Sequence, residues 1–144
     1  MVDYATISIP AFTLAGISRR TSNDKPDEIG ALWQSFCKND ISSQIAAKKS
    51  DDVYSLYIDY EGDHTKPYTL VIGHLVEPEF SPPLGLVVKT VPPAKYAVFS
   101  ANGPQPATLM AAWQKIWNLK LPRTYSGDFD LYSGDQVTVH VAIA

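Results

Sequence analysis

Two stretches of the chain carry the same helical stripe. Apolar residues fall at Ile29, Leu32, Trp33, Phe36 and Cys37 in one, and at Leu109, Ala112, Trp113, Ile116 and Trp117 in the other. Both follow the i, i+3, i+4, i+7, i+8 spacing of one amphipathic helix face. Both contain a Trp-Gln pair at the same place, Trp33-Gln34 and Trp113-Gln114. Asp24 is placed to cap the first helix, and Pro26 and Pro106 suit the first turns. Before each helix lies a strand-like run, Ile9–Ser18 and Val91–Ser100, with a β-branched residue, a proline and an apolar tract ending in Ser. After each helix come two more runs rich in β-branched and aromatic residues. These are 53–60 and 68–76 in the first half, and 128–132 and 137–144 in the second.

The pattern therefore predicts an α+β fold built from a β-α-β-β unit used twice, at about 5–77 and 85–144 of a single domain 1–144. One antiparallel sheet should carry both helices on one face, with a pseudo-twofold axis and a cleft between the halves. The tetrads YEGD (Tyr60–Asp63) and YSGD (Tyr132–Asp135) read as equivalent turns. An earlier YSGD, Tyr125–Asp128, reads as the loop into the following strand.

Composition narrows the function classes. With 45% apolar and 19% charged residues over 144 positions, the chain is an ordinary globular one. Its 12 basic residues are scattered and its net charge is −3, which argues against a nucleic-acid surface. The lone Cys37 allows no internal disulfide and no multi-cysteine zinc site. It continues a helix stripe and reads as a buried thiol. An acid and Pro10 near the N-terminus do not fit a signal peptide, and no apolar run reaches membrane-spanning length, so a cytoplasmic protein is expected. His64, His74 and His140 lack ligand spacing and read as structural or surface residues. No phosphate loop, nucleophile elbow or calcium loop is present. No cofactor and no metal site are expected.

Aromatic residues are the positive signal: three Trp, eight Tyr and five Phe. Tyr and Trp want polar partners when buried, which suits a half-wet cleft. In Asp128–Tyr132, alternation puts Asp128, Asp130 and Tyr132 on one face and Phe129 and Leu131 on the other. Asp is disfavoured inside strands, so either this is an edge strand with a solvated face or Asp130 points into the cleft. A carboxylate among aromatic rings suits an organic cation.

These segments resemble the gyrase-inhibitor-like, or AraC-type, effector-binding domain. The likeness is carried by GLVVKTVPPAKYAVFSANGP, LMAAWQKIWNLKLPRTY, DFDLY and VTVHVAIA in the second half, and by LWQSF, YSLYIDYEGD and YTLVIGHLV in the first. The resemblance implies the duplicated fold and a pocket for lipophilic, cationic, drug-like molecules between the halves, in a bacterial protein linked to transcription regulation. The family's key acid, usually Glu, falls on Asp130, one methylene shorter, with Glu61 or Asp59 as other candidates to share its role. Asp130 is then the charge partner, and Trp33, Trp113, Tyr57, Tyr60, Tyr96 and Tyr132 are the walls. A stand-alone sensor or drug-sequestering protein is expected, without direct nucleic-acid binding. Two alternatives stay open. One is a hydrolase of strained electrophiles. The other is a protein-interaction module, such as a gyrase inhibitor or a partner of a regulator.

Overall fold

Proline divides the strand that opens each half. In the computed structural model, which describes residues 4–105 and 107–144, Pro10 separates β1 (Ala5–Ile9) from β2 (Phe12–Thr21). Pro92 and Pro93 likewise separate β5 (Val87–Val91) from β6 (Ala94–Ser100). Proline has no N–H to give to a ladder, so pairing stops there. Each expected opening strand is therefore two strands. The rest of the first half is α1 (Pro26–Lys38), the short α2 (Ile41–Gln44), β3 (Val53–Ile58) and β4 (Tyr68–Val76). The second half adds α3 (Ala107–Trp117), β7 (Asp128–Ser133) and β8 (Gln136–Ile143). Pro106 lies outside the described residues.

All eight strands form one antiparallel sheet, in the order β1-β6-β8-β7-β3-β4-β2-β5. The short arms cross over: β1 pairs with β6 of the second half, and β5 with β2 of the first. The order reads the same from either edge once each strand is exchanged for its counterpart. At the centre, Ser55 and Asp130 are each third in their strand and are also register partners. The pseudo-twofold axis passes through that pair. Tyr57 and Tyr132 are equivalent by the same rule, both fifth in their strands. This corrects the expected match of the tetrads. Tyr60 lies beyond β3 in the connection 59–67, whereas Tyr132 is inside β7, which turns into β8 at Gly134-Asp135.

β7 is an interior strand, so the edge-strand reading of its acids does not hold. The helices cover one face of the sheet. Leu32 and Phe36 of α1 pack on Leu70 and Ile72, and Trp113 and Ile116 of α3 pack on Val139 and Val141. Burying each such side chain contributes about 1.5–3 kcal/mol of transfer free energy. The opposite face holds a separate core that includes Leu14, Tyr54, Leu56, Tyr96 and Phe129. Gly16 faces Gly73 where β2 and β4 approach closely. A Cβ on either would lie 2.0 Å from a backbone carbonyl oxygen.

Two local expectations change. The residue capping α1 is Lys25, with no side-chain cap, and Asp24 instead accepts the Ser22 hydroxyl. Pro26 at the helix start has no N–H to satisfy, which lightens the need for a cap. Cys37 is exposed, because the stripe passes inward at Phe36 and the helix ends at Lys38. Among the described residues, no helix is long and apolar enough to cross a membrane.

Candidate functional site

α1 and α3 straddle the central β3–β7 pair, and between them lies a cavity of about 440 Å³. Ile29 and Trp33 wall it from α1, and Leu109, Met110, Trp113 and Trp117 from α3. The strands contribute Tyr57, Tyr68 and Tyr132. Tyr60 and His64 enter from the connection after β3, and Arg123 from the loop before β7. The rings hold one another edge to face: Tyr57 lies 5.4 Å from both Trp113 and Tyr68, and Trp33 lies 5.2 Å from Tyr132. Such contacts fix the wall geometry and add to plain apolar burial. His64 stacks on Trp117, with centroids 5.3 Å apart and planes within 9°. It thus links the first half's loop to the second half's helix.

Asp130 sits one layer below this cavity and is wholly buried. The Tyr57 hydroxyl donates to its Oδ2, and Trp113 Nε1 donates to its Oδ1 at 2.9 Å. Both donors are neutral. Among the described residues, none of the ion pairs reaches Asp130. Burial pushes its carboxyl up to about 7, against the pull of the two hydrogen bonds, and the neighbouring Asp128 adds to the rise. The same burial, reinforced by Asp130, holds the Tyr57 hydroxyl well above its ordinary range. Tyr57 therefore stays a donor.

Asp128 is equally buried but differently served. It pairs with Arg123 Nη2 at 2.7 Å, accepts the Tyr60 hydroxyl at 2.7 Å, and takes the Ala142 N–H at 2.8 Å. The chain reaches this arrangement by an excursion from the sheet. Arg123 bridges to Ile143, and then Tyr125 and Gly127 take positive φ before β7 begins. Gly127 tolerates this without a side-chain penalty.

Of the residues expected at the site, the structure brings Trp33, Trp113, Tyr57, Tyr60 and Tyr132 together on the cavity wall, with Asp130 beneath. Tyr96 is a correction. It lies on the opposite face of the sheet, wholly buried, 5.3 Å from Phe129 and 6.1 Å from His140. Alternation along β6 sends Ala97 and Phe99 toward α3 and Tyr96 away from it. Asp59 and Glu61 do not share the role of Asp130 either. They are exposed and pair with Lys89 and Arg20. Sequence reasoning passed over Tyr68, which begins a recognised strand on the helix-facing side. It also passed over His64 and Arg123, whose places depend on loop paths that periodicity does not register.

The duplicated α+β sheet, with a cavity between α1 and α3, matches proteins of the effector-binding class. The chain belongs to the family of integron-associated effector-binding proteins, whose model matches residues 7–143. This is an effector-binding family related to the one expected, and is not named for gyrase inhibition. The chain is 32% identical over 144 aligned positions to YobU of Bacillus subtilis (strain 168), covering 90% of each, a protein whose name assigns it provisionally to transcriptional regulation. Among solved structures it is similar to an integron cassette protein from the mobile metagenome of Vibrio cholerae. That match has a TM-score of 0.77 and 28% identity, and covers 98% of this chain and 95% of the other. It also shares its fold with SAV2435, solved bound to tetraphenylphosphonium, at TM-score 0.83 and 18% identity over 99% of this chain and 94% of that one.

Proposed function

We propose that the protein binds lipophilic organic cations in the α1–α3 cavity, as a small-molecule sensor or sequestering protein. One observation carries the reading. Among the described residues, Asp130 is a fully buried carboxylate with only neutral donors, directly below a cavity walled by Trp and Tyr. A buried ionised carboxylate without a cation is costly, and a ligand charge above it relieves that cost. The rings add cation–π attraction of about 0.5–2 kcal/mol per well-placed ring. The shorter Asp keeps its charge recessed, so the cation is felt across Tyr57 and Trp113 in a poorly screened setting. Membership of an effector-binding family supports the reading, as does the cation held by the fold relative SAV2435.

Tryptophan fluorescence tests it, because Trp33, Trp113 and Trp117 line the cavity. Tetraphenylphosphonium should quench the wild type, and Asp130→Asn should weaken binding by about 10- to 100-fold while leaving a neutral analogue of the same shape unaffected. Equal binding of cation and neutral analogue by both proteins would remove Asp130 from the role.

A further inference from the structure

We propose that Arg123 restricts the cavity to ligands with a single positive charge, by occupying the second of two buried carboxylates as a resident cation. This rests on the cation-binding reading above and adds the ligand's valence to it.

Asp128 and Asp130 stand two places apart on β7 and turn to the same side of the sheet. Both are wholly buried, yet their partners differ in kind. Among the described residues, Asp130 receives only a phenol and an indole N–H. Asp128 receives a phenol, a backbone N–H and the Arg123 guanidinium. That guanidinium has the surroundings expected of a bound organic cation. Its Cζ lies 4.4 Å from the Tyr125 ring centroid and 5.8 Å from that of Trp113. Its side chain is only 7% exposed. Trp113 thus serves both positions, with its ring near Arg123 and its Nε1 on Asp130.

Arginine cannot shed its proton to escape such a site, so Asp128 stays compensated at every working pH. Asp130 has no such occupant. The cavity floor therefore offers one uncompensated carboxylate. A ligand with one charge completes the balance. A compact dication brings a second charge that finds no free carboxylate. Among the described lining residues, Arg123 is the one with a permanent charge, and its sign is the same. With Asp128 already neutralised by Arg123, the second charge of a dication is desolvated without a carboxylate to pair with, and this discriminates against the wrong ligand without any steric clash.

The test compares three molecules of one shape, each carrying a methyl group at both ends: a neutral dimethylated biphenyl, an N-methylated tolylpyridinium with one charge, and the N,N′-dimethylated bipyridinium with two. Each is titrated against the wild type, Arg123→Gln and Asp128→Asn, with circular dichroism to establish folding. The wild type should bind the monocation at least about tenfold more tightly than the dication. Arg123→Gln frees Asp128 and should shift that ratio toward the dication by about tenfold or more. Asp128→Asn leaves Arg123 uncompensated and should weaken the monocation by about tenfold, with the neutral biphenyl unchanged. Because the two variants test opposite sides of the pair, either one decides the matter if the other fails to fold. Equal wild-type affinity for both cations, or a folded variant that leaves these ratios unmoved, overturns the proposal. Failure of the wild type to prefer either cation over the neutral biphenyl instead overturns the cation-binding reading on which it rests.

Discussion

On the side facing the helices, β3 presents Val53, Ser55 and Tyr57, whereas β7 presents Asp128, Asp130 and Tyr132 at the equivalent places. The tyrosines match, and both line the cavity. The acids have no counterpart. The two halves therefore contribute alike to the frame and unlike to the charge. The shared frame opens a cleft between two helices. The departure from symmetry makes that cleft electrically one-sided. A second difference lies in the connections. Residues 59–67 swing His64 against Trp117, while the equivalent β7–β8 link is the tight turn Gly134-Asp135. Duplication supplies a scaffold, and divergence at a few places equips it for a ligand.

The sharpest way to break this contrast is to give the first half its own acid. Ser55→Asp sets a carboxylate as the cross-strand partner of Asp130, in a site where Ser55 is itself buried. Two like charges there cannot both ionise without a large cost. The variant should lose about 3 kcal/mol or more at pH 8, read as a fall in denaturant midpoint. Burial and mutual repulsion raise the folded titration of the pair, so stability should return as pH falls from that raised value toward the ordinary carboxylate range, and a pH-independent loss would contradict the account.

A smaller effect probes the charge of Asp130 directly. On the proposed reading, a proton and a ligand cation compete for the same carboxylate, which burial pushes up to about 7. Cation affinity should fall by about tenfold per pH unit below that value and level off above it. Tyr57 stays a protonated donor and Asp128 stays paired with Arg123. Asp130→Asn should flatten the profile.

The smallest expected effect lies on the opposite face. The Tyr96 hydroxyl is buried there without a hydrogen-bond partner among the described residues. Tyr96→Phe removes an unsatisfied polar atom and should change stability by no more than about 1 kcal/mol, in the stabilising direction. Ligand affinity should not move. A loss of affinity would return Tyr96 to the site from which the structure removes it.

Much of the frame was legible along the chain. The i, i+3, i+4 stripes located α1 and α3, and alternation put Asp130 with Tyr132 and opposite Phe129. The Trp-Gln pairs and the paired proline breaks disclosed the duplication. Other features were not legible. Pro10 and Pro92-Pro93 were visible, yet nothing local says that each broken arm crosses to the other half. Tyr96 and Tyr57 look alike in sequence, and only the sheet's orientation sends them to opposite faces.

By itself, the sequence determined the kinds of element, their order and which residues of a strand share a face. These follow from backbone geometry within a few residues, namely the periods of helix and strand. Only the tertiary structure decided that β7 lies inside the sheet, that Asp130 rests beneath Tyr57 and Trp113, and that Arg123 claims Asp128 and leaves Asp130 free. The value of a buried charge depends on which partner reaches it. That is set by strand order and loop path across dozens of residues, which no local pattern records.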